Sequence, residues 1–475
     1  MKHKAFSLAV MLTLILSAMH TSYVSAQAYT TTFSTSITIL NVSGSTAQYV
    51  VSLYSSPTTT SPITVSQPDL PAGAGTSLFV GSLSSVPAGF RGSAIIQANA
   101  RLLATAVQVP QGSATVKNRP MSNGFEAGSS SAVIATFLKQ RFDQNTIVAI
   151  QNTDTANNNV TVSIYDATNP SAPPVQVTQN DLAPGAAFYL DAGTLSSVPS
   201  NFSGSMTISA VRSNGGGNGS IVASAMELNI AGTGASAFES VGTGANTVYM
   251  PSAICNAFGG QNTAYAVQNT SLSTAASVTV TYSNGSVEGP ITVNPGAKFS
   301  FQGCTVNSAG FSGSARITST GAPIIAVGKV IGTGLSTAFV GATTGGRELA
   351  LPYVRWSETQ YSTGGRQRTF LAIQNVGSTD LAAGAVTVEY RDKTGAVVGT
   401  HSLAAIPAGG KVNSNPSNVG SAASELGYYS DGTFGAGAIV RGPSGSQLVV
   451  IARVQSVVPG VNTVGEDYNG LVITP

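Results

Sequence analysis

The residues that could do acid–base or covalent chemistry in this chain are few and scattered. There are three histidines. His3 and His20 lie in the N-terminal stretch, which leaves His401, beside Ser402, for the rest of the protein. A general base needs a nucleophile or an orienting partner within reach, and a lone histidine in an expected strand or turn reads as a surface residue. Asp143, Asp166, Asp181 and Asp191 form the densest set of carboxylates. Two of them could flank a glycosidic bond or several could hold calcium. Turn residues flanking strands account for them more simply. The sequence has no G-x-S-x-G, no H-E-x-x-H and no phosphate-binding glycine loop. The chain is therefore read as non-enzymatic, without a cofactor or metal.

Two further groups carry interest. The two cysteines, Cys255 and Cys304, could be a disulfide, a metal pair or a redox dithiol. Two sulfurs with no histidine nearby make a poor zinc site, so a disulfide is expected; closing a loop of about 50 residues restrains the unfolded chain by roughly 4 kcal/mol. Tyr353, Arg355, Trp356 and Tyr361 make the stretch richest in large side chains and include the single tryptophan. Such a patch suits a glycan or a protein neighbour. The plainer reading is a strand with one face in the core and the other in solvent.

The elements that must position these residues repeat four times. Short apolar runs end on Asn41, Asn152, Asn269 and Asn375, at spacings of 106 to 117 residues. A second block keeps step: AGFRGSAII around Phe90, SNFSGSMTI around Phe202, AGFSGSARI around Phe311 and a degenerate DGTFGAGAI around Phe434. That period is one small domain. In the third copy, runs such as TVYMPSAI, TAYAVQN, SVTVTYS and KFSFQG, about eight in all, are separated by Gly, Asn, Pro and Ser. Val278, Val280 and Tyr282 alternate with Thr279 and Thr281, which puts the larger apolar groups on the buried face. No window has helical periodicity. The expected fold is all-β: four tandem antiparallel β-sandwich modules of the immunoglobulin-like class, spanning 27–122, 123–245, 246–346 and 347–475.

Residues 1–26 read as a signal peptide, with Lys2 and Lys4, an apolar stretch from Ala5 to Ala18 and small residues at Val24-Ser25-Ala26. The mature chain would start at Gln27 and be secreted or held at the cell surface. Without the leader's two lysines, 19 basic residues face 19 acidic ones. With only 8% of residues charged, the chain lacks the basic footprint of a nucleic-acid binder, and no segment after the leader is apolar enough to insert in a membrane. Near-zero net charge does not oppose self-association.

The order T-x-x-A-I-Q-N-T, V-T-V-x-Y, P-G, G-F-x-G-S-A, then an aromatic-Gly connection to a Leu-Pro or Met-Pro step resembles tandem β-sandwich (Ig-like) repeats of exported proteins of the bacterial cell surface and extracellular filaments. The resemblance implies a structural role, with further copies, cell-envelope glycans or other surface proteins as partners, and no catalytic residues. The first copy departs by having Leu40 where the others have Gln, and the fourth by losing the G-S-A triplet. At the C-terminus, Leu471, Val472, Ile473 and Thr474 read in two ways. They close the fourth module, or they complete the shortened first module of another molecule by strand exchange.

Overall fold

The computed structural model describes residues 31–56, 61–112, 116–232, 234–332, 334–362, 364–460 and 463–475; the leader lies outside the described residues. The described chain is strand almost throughout, interrupted by short 3₁₀ turns such as Val80–Ser82 and Ala192–Thr194.

The third module shows the plan. Its eight strands are Thr247–Cys255, Asn262–Asn269, Ala276–Tyr282, Val287–Val293, Lys298–Gln302, Phe311–Thr320, Ile324–Gly332 and Leu335–Val340. One sheet has the order first-sixth-third-fourth and the other fifth-second-seventh-eighth, all antiparallel. The likeness to an immunoglobulin domain lies in size and two-sheet architecture; the strand order is not the ABED/CFG order of a constant domain. Val278, Val280 and Tyr282 are buried and the threonines between them half-buried, as the alternation requires. Cys255, at the end of the first strand, is bonded to Cys304, after the fifth, with S–S 2.06 Å.

The same plan recurs in the second module, from Ser131–Arg141 to Ala235–Glu239, and in the fourth, from Glu348–Leu351 to Val464–Asn469. The fourth adds Trp356–Ser362, paired with Gly365–Asn375, and the C-terminal strand Leu471–Thr474, paired with Glu348–Leu351. Within the chain, residues 471–474 therefore close the fourth module. The first module runs from Phe33–Asn41, its second-strand equivalent, to Met121–Asn123. Its two sheets have four strands and three, with Gly92–Ala98, the sixth-strand equivalent, at an edge. Among the described residues it has no first strand.

The modules do not form a linear string. Their eighth strands, Met121–Asn123, Ala235–Glu239, Leu335–Val340 and Val464–Asn469, adjoin one another in cyclic order, the last touching the first. The result is a closed ring of four sandwiches. Modules three and four pack their fifth-second-seventh-eighth sheets against the first strand of the module before them, and module one sets the same sheet on module four, so cores run across the joints. Ala266, Ile325, Val327, Ala338 and Val340 of module three belong to the core of module two. Likewise Val107 and Met121 of module one belong to that of module four. Burying Ile325 and Val327 alone contributes about 3–6 kcal/mol. This explains why the first strand Ser131–Arg141 is apolar and buried on both faces: its own core covers one side and the next module the other.

Candidate functional site at the module joints

The repeated asparagine fastens each module internally. At the end of the second strand its side chain turns inward and is at most 1% exposed in all four copies. Asn152 Nδ2 donates to the carbonyls of Ala156 and Leu182, both at 2.8 Å, and its Oδ1 accepts from Asp154 N at 2.8 Å. Asn41, Asn269 and Asn375 make the corresponding bonds to the two loops on either side. A carbonyl buried at these places without a donor would cost about 1–3 kcal/mol, which accounts for one residue type at one position.

The preceding residue, by strand alternation, points out of its module and into a joint. Gln151, Gln268 and Gln374 each donate from Nε2 to the carbonyl of a Gly in their own module's turn: Gly185, Gly296 and Gly409, at 3.1, 3.1 and 3.3 Å. Each reaches the preceding module as well, at Ala94, Met206 and Ala315 O. The serine of the G-S block comes from the other side. Ser93, Ser205 and Ser314 Oγ donate to those same Gly carbonyls at 2.5, 2.7 and 2.7 Å. Tyr54 and Tyr165, which leave the third strand outward, lie flat against Gly185 and Gly296 of the next module, while nothing lies within 4 Å of a Cβ built on Gly409.

The fourth joint, between module four and module one, has other chemistry. Leu40, 1% exposed, stands in the Gln position, and Gly437, opposite Arg391, stands in the Ser position, where an added Cβ would lie 2.9 Å from Leu40 Cδ1. Leu40 packs with Leu103, Ala350 and Ile439, flanked by Leu471 and Ile473. The two departures from the repeat therefore meet at one interface. Arg391 takes the place of Tyr54 and Tyr165, against Gly73. Arg101 of module one donates to the carbonyls of Val472 and Ile473, both at 2.9 Å, and holds both carboxylate oxygens of Glu126 through its Nε and Nη2.

The Tyr353–Tyr361 stretch belongs to this joint, which corrects the expectation of a surface ligand patch. Tyr353 is 4% exposed and Arg355 2%. The Arg355 guanidinium stacks 4.0 Å from the Tyr353 ring and donates to Val354 O and to Ser77 Oγ of module one. Arg119 of module one lies over Tyr361 at 4.8 Å and donates to Tyr428 Oη. Trp356 meets Phe370 edge-on, with Arg368 over its face at 5.1 Å. The neighbour that this patch engages is module one of its own chain.

Along the ring axis the joints carry buried charge. Strand register makes Asn123, Glu239, Val340 and Asn469 equivalent. Asn123 N donates to Glu239, Asn123 Nδ2 to Asn469 O, and Asn469 Nδ2 to Val340 O. Lys329 pairs with Glu227 of module two, and Arg453 with Asp467 at 2.8 Å. Burial pushes the Glu239 carboxyl up to about 7 and that of Glu466, which accepts from Arg119 N, up to about 8. Burial, with Lys329 nearby, lowers the Lys298 ammonium to about 7.

The scattered chemical groups stay apart. His401 Nδ1 lies 2.8 Å from Ser414 Oγ, which also meets Tyr390 Oη at 2.7 Å. Ser414 is 1% exposed and out of reach of a substrate. Asp166 and Asp191 accept from backbone N–H groups two residues on; Asp143 holds a left-handed turn position and Asp181 a left-handed position at a register shift in the strand Val175–Leu182. Among the described residues no three His, Cys, Asp or Glu side chains are grouped to hold a metal ion. No described helix is long and apolar enough to cross a membrane. The joint-forming Gln and Ser were visible in the sequence as repeat markers, but their role was not. The signal available was the loss of Gln from the first copy and of Ser from the fourth, the two sides of one joint.

No known protein family matches the chain, and no curated protein does. Among solved structures, a tetra-tandem repeat in the extending region of a large adhesion protein aligns over 91% of this chain and 93% of its own, at 13% identity and a TM-score of 0.12. Overlap that low carries no argument about fold or role.

Proposed function

We propose that the protein is an exported, non-enzymatic structural component of the cell surface, the extracellular matrix or a filament, with the four-module ring as a rigid building block. One observation carries this reading: the polar side chains that recur from copy to copy, Asn152, Gln151, Ser205 and their equivalents, are all consumed in internal bonds and joints. Repetition has been spent on rigidity. The disulfide fits an oxidising compartment, and the low net charge favours assembly with further copies or with surface proteins and glycans. Nucleic acid and membrane insertion form no part of the proposal.

Negative-stain microscopy with light scattering of the mature chain from Gln27 tests it. Ordered assemblies of compact rings support the proposal; solitary rings at every concentration remove self-association from it. The alternative, an adhesion or carbohydrate-binding protein acting through Trp356, is weakened by the burial of Tyr353 and Arg355. Unchanged glycan binding in Trp356→Ala would count further against it.

A further inference from the structure

Among the described residues the ring has one unfilled strand position. In modules two, three and four the sixth strand pairs on its outer edge with the first: Phe202–Arg212 with Ser131–Arg141, Phe311–Thr320 with Thr247–Cys255, and Gly437–Arg441 with Glu348–Leu351. In module one the equivalent strand Gly92–Ala98 pairs, among the described residues, only with Tyr49–Ser55. Its sequence, GSAIIQA, has no charge and no proline, and its pairing has no register shift. Edge strands are ordinarily guarded by one of these.

The core of module one records the vacancy. Among the described residues it has eight fully buried apolar side chains and twelve half-buried ones. Module three has twenty-two and three. Ile96 and Ala94, which face this core, are only half-buried.

The chain's own upstream residues do not supply the strand once the leader is removed, and the vacancy rests on that removal. Thr31 and Thr32 run into Phe33 without pairing to 92–98. Only Gln27 to Thr30 would precede them, about 13 Å of extended chain, whereas the first strands of modules two and three have eleven and nine residues. A second copy has no spare segment of the right kind either. Its long apolar first strands are buried in their own modules, and Leu471–Thr474 is paired with Glu348–Leu351 and held by Arg101.

We infer that module one is an acceptor for an extended strand of another polypeptide. The sister strands define the chemistry of the occupant. It has about eight residues, mainly apolar on both faces, because one face meets the core of module one and the other the adjoining sheet of module two; it runs antiparallel to 92–98, as strand addition requires.

The probe is a synthetic peptide with the sequence of Ser131–Arg141, SAVIATFLKQR, titrated into the chain from Gln27 to Pro475. The expected result is saturable one-to-one binding, with amide exchange at residues 93–97 slowed at least about tenfold. The same peptide carrying Ala135→Pro and Phe137→Pro, which cannot complete the ladder, should have no effect. The inference is overturned if amides 93–97 of the free chain already exchange as slowly as 205–209, or if saturating peptide leaves them unchanged. Protection of 93–97 that grows with protein concentration alone would make a second copy the occupant and overturn the assignment to another polypeptide. Failure of self-association in microscopy leaves this acceptor untouched, so the two proposals fail separately.

Discussion

Two glycines in equivalent turns give a controlled test of the joints. Gly296 and Gly409 share a left-handed backbone, φ +70° and +77°, and each offers its carbonyl to a Ser-Gln pair. Alanine at either position costs about 1–2 kcal/mol for the left-handed conformation. At Gly409 the cost should stop there, because nothing lies within 4 Å of the added carbon. At Gly296 the new Cβ would fall 2.5 Å from Tyr165 Cε1 and 2.7 Å from Cδ1 and Cζ, so the ring of module two must move out of the joint. Overpacking of this kind adds about 1–3 kcal/mol, giving about 2–5 for Gly296→Ala. Urea unfolding followed by intrinsic fluorescence and by circular dichroism reads both variants. Combining Gly296→Ala with Tyr165→Ala should recover the extra cost as a favourable coupling of about 1–3 kcal/mol. Equal destabilisation by Gly296→Ala and Gly409→Ala, with no coupling to Tyr165, would refute the packing of successive modules described above.

Other consequences are open to direct measurement. Asn152→Ala leaves the carbonyls of Ala156 and Leu182 and the N–H of Asp154 without their partner and should cost about 2–4 kcal/mol in denaturant unfolding, whereas Asn218→Ala, at an exposed turn, should change stability by less than about 0.5. Replacing Cys255 and Cys304 by serine should lower stability by about 4 kcal/mol and abolish the effect of added reductant. Glu239 and Glu466, with folded pKa values of about 7 and about 8 against 4.5, stabilise the ring below about pH 4.5 and lose that contribution as pH rises through 7 and 8. Lys298, lowered to about 7, acts in the opposite sense, adding stability as pH rises from 7 towards 10.5. The fall should therefore be steepest between about pH 5 and 7 and level off between about 7 and 8, where Glu466 and Lys298 offset each other; Glu466→Gln should turn that plateau into a rise.

What could be read from the sequence was local. The strands of the third module coincide with the apolar runs between turn residues, because Gly, Asn and Pro end strands for reasons held within a few residues. Cys255–Cys304 followed from elimination. The closed ring could not be read in that way, since it depends on which outer faces meet. Signs of it were nonetheless present. SAVIATFL is apolar at consecutive positions, which demands cover on both faces, and a half-buried edge of a linear module would alternate instead. Leu40 and the lost G-S-A triplet read as departures of two separate copies; the approach of Leu40 to Gly437 shows one interface with its own complementary set. Of the two readings of the Trp356 region, the strand is present as Trp356–Ser362, but neither reading placed Arg355 within the joint between the first and last modules.

Small-angle X-ray scattering of the mature monomer at low concentration tests the closed ring most directly. A ring of about 450 residues should give a radius of gyration of about 22–24 Å, whereas four modules of about 13 Å each in a line, spaced by about 33 Å, would give about 39 Å. The account predicts the smaller value, unchanged by moderate salt. A value near the larger one would contradict the packing of module four on module one.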